Sequence, residues 1–341
     1  MSIGIFVQPD DNLKMVDITN GAKTAAYRGF FAPELDADGD GWMTVESSPN
    51  AQIFFIPRNT VAIRRPQNSV AIYVAKIDGI YYQGNQVYKL DSNLSRLQGP
   101  TAPFGLDAFE ILGTQAGNFG LFLQNATDFT AITDIGVCGF VVWRGTVNVT
   151  GEWSIPDDIP NRDSCIVFAN WNRGDRTVYF ERDSMTVQVC REQGDQVIND
   201  NLAECLINLC IVATGFEPKP PSSGYGIVIR NSEGRITYSS KYPPLMFRNM
   251  KFLVDRIPGN YVTLSGTEKP MIPLCCVGSQ RSEEIFNGNY RNIYQCGFKM
   301  MGNAVTVWRA FLQASYDGNY SSFEFEVCPQ PLPYIDANDY F

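Results

Sequence analysis

The fold class this sequence predicts is all-β, arranged as three tandem antiparallel β-sandwich-like domains related by internal triplication, and three observations carry the expectation. A six-residue phrase recurs as Gly4-Ile5-Phe6-Val7-Gln8-Pro9, Gly120-Leu121-Phe122-Leu123-Gln124-Asn125 and Gly226-Ile227-Val228-Ile229-Arg230-Asn231, with starts 116 and 106 residues apart. An aromatic-Arg pair follows each start, at Tyr27-Arg28-Gly29, Trp143-Arg144-Gly145 and Phe247-Arg248-Asn249, with the arginine 24, 24 and 22 residues after the glycine. A self-similar period near a hundred residues marks an array of folding units. Finally, 29 Gly, 20 Pro and 13% aromatic residues favour short strands and turns over helices.

Each element of one copy has a physical reason. In the third, Gly226 to Arg230 is strand-like, Asn231-Ser232-Glu233-Gly234 is a turn signal, and Arg235-Ile236-Thr237-Tyr238-Ser239 alternates as a returning strand. The first copy turns at Pro9-Asp10-Asp11-Asn12 and the second at Asn125-Ala126-Thr127-Asp128, so each copy opens with a β-hairpin. After the aromatic-Arg strand come apolar runs at Ile53-Phe54-Phe55-Ile56, Ile166-Val167-Phe168-Ala169 and Ile272-Pro273-Leu274-Cys275, then a β-branched residue and Tyr at Ile72-Tyr73, Val178-Tyr179 and Ile293-Tyr294. Closing strands are expected at Phe104 to Leu112, Leu206 to Ala213 and Phe323 to Val327. Six or seven short strands per hundred residues suit a two-sheet sandwich.

The copies are bounded at residues 1–115, 116–217 and 224–328, with a C-terminal docking tail at 329–341. The joint Gly113 to Asn118 is small and flexible in composition, whereas Glu217-Pro218-Lys219-Pro220-Pro221-Ser222-Ser223-Gly224 predicts a stiff extended spacer. In the tail, Pro329, Pro331 and Pro333 precede an acidic, aromatic-tipped end at Tyr340-Phe341, expected to fray or to lie across a neighbouring surface.

Composition excludes several function classes. A net charge of −9 with scattered Lys and Arg is the wrong electrostatics for a phosphate backbone, so nucleic acid is not an expected partner. Asp10, Asp11 and Pro9 interrupt the early apolar run, which reads as no signal peptide, and Val137 to Trp143 is far shorter than the ~20 residues a spanning helix needs, so membrane insertion is not expected. The nine cysteines have no Cys-x-x-Cys spacing and an odd count, which reads as buried reduced thiols in a cytoplasmically made protein. Histidine is absent altogether, removing the commonest general base and zinc ligand. The paired carboxylates Asp157-Asp158 and Glu283-Glu284 read as solvated turns, since adjacent residues of a strand face opposite ways. No catalytic residue, cofactor-binding residue or metal ligand is therefore assigned, and the protein is not expected to be an enzyme.

Three local features carry alternatives. Asp36-Ala37-Asp38-Gly39-Asp40-Gly41 places oxygen ligands at the first, third and fifth positions of a calcium loop with Gly at the sixth, but Ser47 stands where the bidentate Glu belongs and Trp42-Met43-Thr44-Val45 reads as a strand, which favours a solvated turn. Trp171, within Asn170-Trp171-Asn172-Arg173-Gly174-Asp175, and Tyr81-Tyr82 are candidates for a sugar-stacking surface, set against the usual place of aromatics in cores and cross-strand pairs. The repeated Arg28, Arg144 and Arg248 are read as structural, with the aromatic filling the core and the arginine stem covering the other face.

The copy opening, clearest in Tyr225-Gly226-Ile227-Val228-Ile229-Arg230-Asn231-Ser232-Glu233-Gly234-Arg235-Ile236-Thr237-Tyr238-Ser239-Ser240, resembles the start of small β-rich structural proteins encoded among the tail genes of tailed bacteriophages, as does Met1-Ser2-Ile3-Gly4. The likeness covers the first ~25 residues of each copy and transfers no functional residue. It implies a structural virion protein of the tail, tail tip or an attached fibre, made in the host cytoplasm, present in several copies or as a homo-oligomer, and contacting other virion proteins. The alternatives are an adhesin recognising bacterial surface glycan or pilus, and a carboxylate-dependent glycan hydrolase.

Overall fold

The computed structural model describes residues 6–11, 13–18, 23–48, 50–64, 73–93, 102–111, 120–124, 129–133, 138–193, 196–222, 225–248, 250–255, 257–285, 289–317 and 324–341. The first copy contributes β1 (Phe6–Val7), β2 (Val16–Asp17), β3 (Lys23–Phe31), β4 (Asp40–Thr44), β5 (Gln52–Asn59), β6 (Val61–Arg64), β7 (Tyr73–Gly84), β8 (Val87–Ser92) and β9 (Gly105–Ile111). The second contributes β10 (Gly120–Gln124), β11 (Phe129–Thr133), β12 (Phe140–Thr150), β13 (Glu152–Ser154), β14 (Ile166–Trp171), β15 (Arg173–Glu181), β16 (Thr186–Gln193), β17 (Gln196–Ile198) and β18 (Glu204–Ala213). From the third come β19 (Val228–Arg230), β20 (Ile236–Ser239), β21 (Met246–Phe247), β22 (Lys251–Phe252), β23 (Val262–Thr263), β24 (Pro270–Pro273), β25 (Gly278–Ile285), β26 (Asn289–Met301), β27 (Ala304–Asp317) and β28 (Glu324–Val327), and from the tail β29 (Leu332–Pro333) and β30 (Ile335–Asp336). The protein is all-β, with antiparallel pairing throughout the named strands.

An antiparallel hairpin opens each copy: β1 with β2, β10 with β11, and β19 with β20. The third turns as its residues dictate. The Asn231 side-chain oxygen accepts from the backbone N–H of Glu233 and Arg235, and Gly234 takes φ +83°. Beyond the hairpin, one strand order recurs. The closing strand lies between the aromatic-Arg strand and the apolar run, as β3-β9-β5 in the first copy and β12-β18-β14 in the second. A second layer runs β4-β8-β7 in the first, β13-β16-β15 in the second and β23-β27-β26 in the third.

The third copy departs from the strand order of the other two. Strand β28 forms close to where the closing strand is expected, but it lies at the sheet edge, pairing only β25 among the described strands. The central place is taken by the C-terminal residues, with β29 pairing β22 and β30 pairing β24. Of the two outcomes expected for the docking tail 329–341, it does not fray but lies across neighbouring surfaces of the same chain. Leu332, Tyr334, Ile335, Ala337 and Tyr340 are all buried, because their apolar side chains complete cores that residues 224–328 leave open. The spacer at 217–222 likewise lies along β20: a Glu217 carboxylate oxygen accepts from Ile236 N–H, and Ser239 donates to the Lys219 carbonyl. The joint at Gly113 to Asn118 falls outside the described residues.

The copies share sheets and cores. Strand β14 pairs β24, and β15 pairs β26, so one 14-stranded sheet runs through the second and third copies. One core joins Val149, Trp171 and Ile207 to Phe298, Val307 and Tyr334. Another joins Val7, Ile56 and Phe109 to Phe140, Phe168, Phe247 and Tyr340, which belong to all three copies and the tail. The smaller core of the first copy, around Phe55, Leu90 and Leu106, takes Cys328 from the far end of the chain.

Eight of the nine cysteines are buried and all are free thiols, Cys276 alone being half-buried. Burial pushes the thiols of Cys138, Cys190, Cys205 and Cys328 up to about 12. A buried thiol that stays protonated is a poor nucleophile. At about pH 8 a thiol-reactive dye is expected to label at most Cys276 in the native protein and all nine cysteines after denaturation, a difference read by absorbance titration. The joint between copies is tight at Gly297, where an added Cβ would stand 2.7 Å from the Val178 carbonyl oxygen. Gly297→Val is expected to destabilise the protein by about 1–3 kcal/mol in urea unfolding, because backbone rather than a flexible side chain opposes it.

Candidate functional site

Backbone beside the three aromatic-Arg strands is hydrogen-bonded across the three copies. Ala25 N–H donates to the Leu245 carbonyl at 3.1 Å, Leu245 N–H to the Gly139 carbonyl at 2.7 Å, and Gly139 N–H to the Ala25 carbonyl at 2.8 Å. These bonds close a ring through one residue of each copy. At Gly139 a Cβ would meet the Leu245 side chain at 3.2 Å and Phe109 at 3.4 Å, so this close approach favours glycine.

Beside the ring, each repeated arginine holds a carboxylate. Arg28 Nε donates to Glu110, whose side chain is fully buried, at 2.5 Å. Arg248 pairs with Asp339 in the tail, where burial pushes the Asp339 carboxyl above its ordinary range and the guanidinium opposes that shift. Arg144 does most. Its side chain is buried and grips Asp11 through Nε at 2.7 Å and Nη2 at 3.0 Å, while Nη2 also donates to the Lys14 carbonyl and Nη1 to the Tyr340 carbonyl, both at 2.7 Å. A planar fork with five N–H donors suits four such acceptor atoms. Thus second-copy Arg144 fastens the first-copy hairpin region to the C-terminal tail.

The tail is held from other sides too. Tyr340 is buried, its hydroxyl accepting from Met246 N–H at 2.9 Å and donating to the Pro244 carbonyl at 3.1 Å. Lys14 Nζ donates to the Asn338 and Phe341 carbonyls. The arginines were expected to cover apolar surface with their stems; instead they act as ion-pair clamps, and the partners Asp11, Glu110 and Asp339 carried no signal of their own because they lie far away in sequence.

The aromatic candidates separate. Trp171 is a correction: it is 2% exposed, ends strand β14 and packs in the core shared by the second and third copies. Its polar neighbours read as a loop, but β14 passes into β15 with only Asn172 between them, and the alternation Val167, Ala169, Trp171 turns one face inward. Tyr81 and Tyr82 are exposed at 49% and 62%. Tyr81 faces Lys89, which faces Trp42, across the outer surface of β7, β8 and β4.

The acidic turn is self-contained. Asp36 Oδ1 accepts from the N–H of Asp38 and Asp40 at 2.9 Å each, and Asp40 pairs with Lys89 Nζ at 2.8 Å. No group of three or more acidic, Cys or His residues suited to a metal occurs among the described residues. Asp157-Asp158 do form an exposed turn, whereas Glu283-Glu284 are a second correction, lying within β25 opposite Arg291 and Tyr290.

A feature that the sequence did not reveal is a cleft of about 410 Å³ on the seam between the second copy and the opening of the third. Trp143, Phe216 and Tyr242 line it together with Asp158, Glu217 and Lys219. A smaller cleft of about 110 Å³ lies between the first and third copies, beside Phe54 and Phe247.

Fold and geometry define a β-sandwich-like, all-β protein whose successive segments are joined through shared sheets, shared cores and ion-pair clamps. The chain belongs to a family of unknown function (DUF6453), whose sequence model matches residues 4–321, nearly the whole length. No curated protein and no solved structure matches it.

Arg144→Ala strips the buried clamp from Asp11 and from two carbonyls at once. It is expected to lower stability by about 3 kcal/mol in urea unfolding, and Arg144→Lys to recover less than half of that loss because an ammonium lacks the planar fork.

Proposed function

We propose that this protein is a structural virion protein of a tailed bacteriophage, in the tail, tail tip or an attached fibre, and that it acts as a non-catalytic scaffold through protein-protein contacts. The observation that carries the reading is the closed ring of backbone hydrogen bonds through Ala25, Gly139 and Leu245, with the Arg144 clamp beside it. An array of flexibly linked binders has no use for such a junction. A scaffold does, since surfaces on different copies must keep a fixed relation to their neighbours in an assembly.

Further features support contact with other virion proteins. Among the described strands, β4 and β6 end the sheet of the first copy's second layer, β4 meeting Leu35 through one bridge, and a sheet edge can accept strand addition from a neighbouring chain. Leu202, Leu206 and Ile257 are exposed at 67%, 62% and 62%, offering apolar contact on the second and third copies. Free buried thiols suit synthesis in a reducing host cytoplasm before assembly.

The test is made on particles. Purified phage carrying this gene are expected to contain the protein in several copies by quantitative mass spectrometry, with density for the β-sandwich array in the tail by cryo-electron microscopy. Its absence from washed, infectious particles would overturn the reading.

A further inference from the structure

We infer that the seam cleft beside Trp143 is a carbohydrate-binding site that takes a short oligosaccharide. The inference does not rest on the scaffold reading, since the cleft is defined by its own walls. At about 410 Å³ it falls within the size of small-ligand pockets, and it sits between repeated units, where such pockets concentrate.

The chemistry of the walls selects the ligand. Trp143, Phe216 and Tyr242 supply aromatic surface, while Asp158, Glu217 and Lys219 supply acceptors and a donor around it. A pyranose has apolar C–H faces and a rim of hydroxyls that both donate and accept, so it matches aromatic surface edged with charged polar groups. A purely apolar ligand would use the aromatic surface but none of the charged rim. A polyanion would face two carboxylates against one lysine.

The walls are built rather than incidental. Trp143 packs against Trp153 with ring centroids 5.0 Å apart. Its ring lies over Gly145, where an added Cβ would stand 2.8 Å from the indole, so the strand keeps a glycine to let the ring lie across it. Phe216 and Tyr242 brace each other edge-on at 5.9 Å, and both pack on Phe140. One Glu217 oxygen is held by Ile236 N–H at 3.0 Å, which fixes that carboxylate at the rim. Asp158 lies in an exposed turn and Lys219 in the exposed part of the spacer, so both reach solvent and an incoming hydroxyl. Rigid aromatics with preplaced polar groups lower the ordering cost of binding.

Full-length protein would be examined by saturation-transfer NMR against di- and trisaccharides of glucose, galactose, N-acetylglucosamine and rhamnose, with a proline-rich peptide as the competing ligand class. At least one saccharide is expected to bind the wild type. Trp143→Ala should weaken it at least about tenfold, and the double variant Asp158→Asn/Lys219→Ala at least about threefold, at unchanged circular dichroism. Trp143 also touches the core, so if Trp143→Ala fails to fold, the double variant at exposed positions decides. Binding by no saccharide, binding unchanged in the double variant, or binding of the peptide alone would overturn the inference. Loss of sugar binding in the variants with normal incorporation into particles would support it separately from any scaffold role.

Discussion

Everything in this structure depends on three backbone segments meeting closely enough to hydrogen-bond in a ring. Ala25, Gly139 and Leu245 each give one N–H and take one through their carbonyls, so no copy can move without breaking bonds to both others. A single backbone hydrogen bond contributes only about 0.5–1.5 kcal/mol net, but one left unmade in a buried junction costs about 1–3 kcal/mol. The ring therefore matters less for its total energy than for its all-or-none geometry. The aromatic core through Phe54, Phe109, Phe168 and Phe247 lies around it, and Arg144 ties the first hairpin to the tail beside it.

One strand order repeated with one exception shows how the array closes. In the first two copies the central strand of the aromatic-Arg sheet arrives in order along the chain, as β9 and β18. In the third, residues 332–336 supply it, after the β25 to β28 excursion. The C-terminal tail thus joins the third sheet while Tyr340, Asn338 and Phe341 reach the first two copies through Arg144 and Lys14. Contacts of that sequence separation close long loops of chain and so carry a large entropic cost that the buried tail must offset.

Differences between the copies fall where the units meet. The second and third share a sheet and a core, while the first keeps its own second layer and carries the cross-strand row of Trp42, Lys89 and Tyr81. The seam cleft exists because the spacer 217–222 is laid along β20 and brings Phe216 and Glu217 beside the second copy's Trp143. This arrangement holds a concave, aromatic-lined surface at the join between the spacer and the second copy.

The sequence by itself determined the all-β class and the opening hairpins, because alternation and Asn/Gly turn chemistry act within a few residues. It also marked the strands that carry the conserved-spacing aromatic-Arg pairs and the apolar runs beside the closing strands β9 and β18. Tertiary structure alone decided the rest. Trp171 read as a loop residue because its neighbours are polar, yet the shared core of two copies buries it. The tail read as a docking segment because no local partner for it was visible, and its partners lie in β22 and β24 of the same chain. The clamp on Arg144 draws on Asp11, Lys14 and Tyr340, more than a hundred residues away on either side. Local rules choose the element, but which surfaces meet depends on apolar area and hydrogen-bonding groups that become neighbours only once the chain has closed.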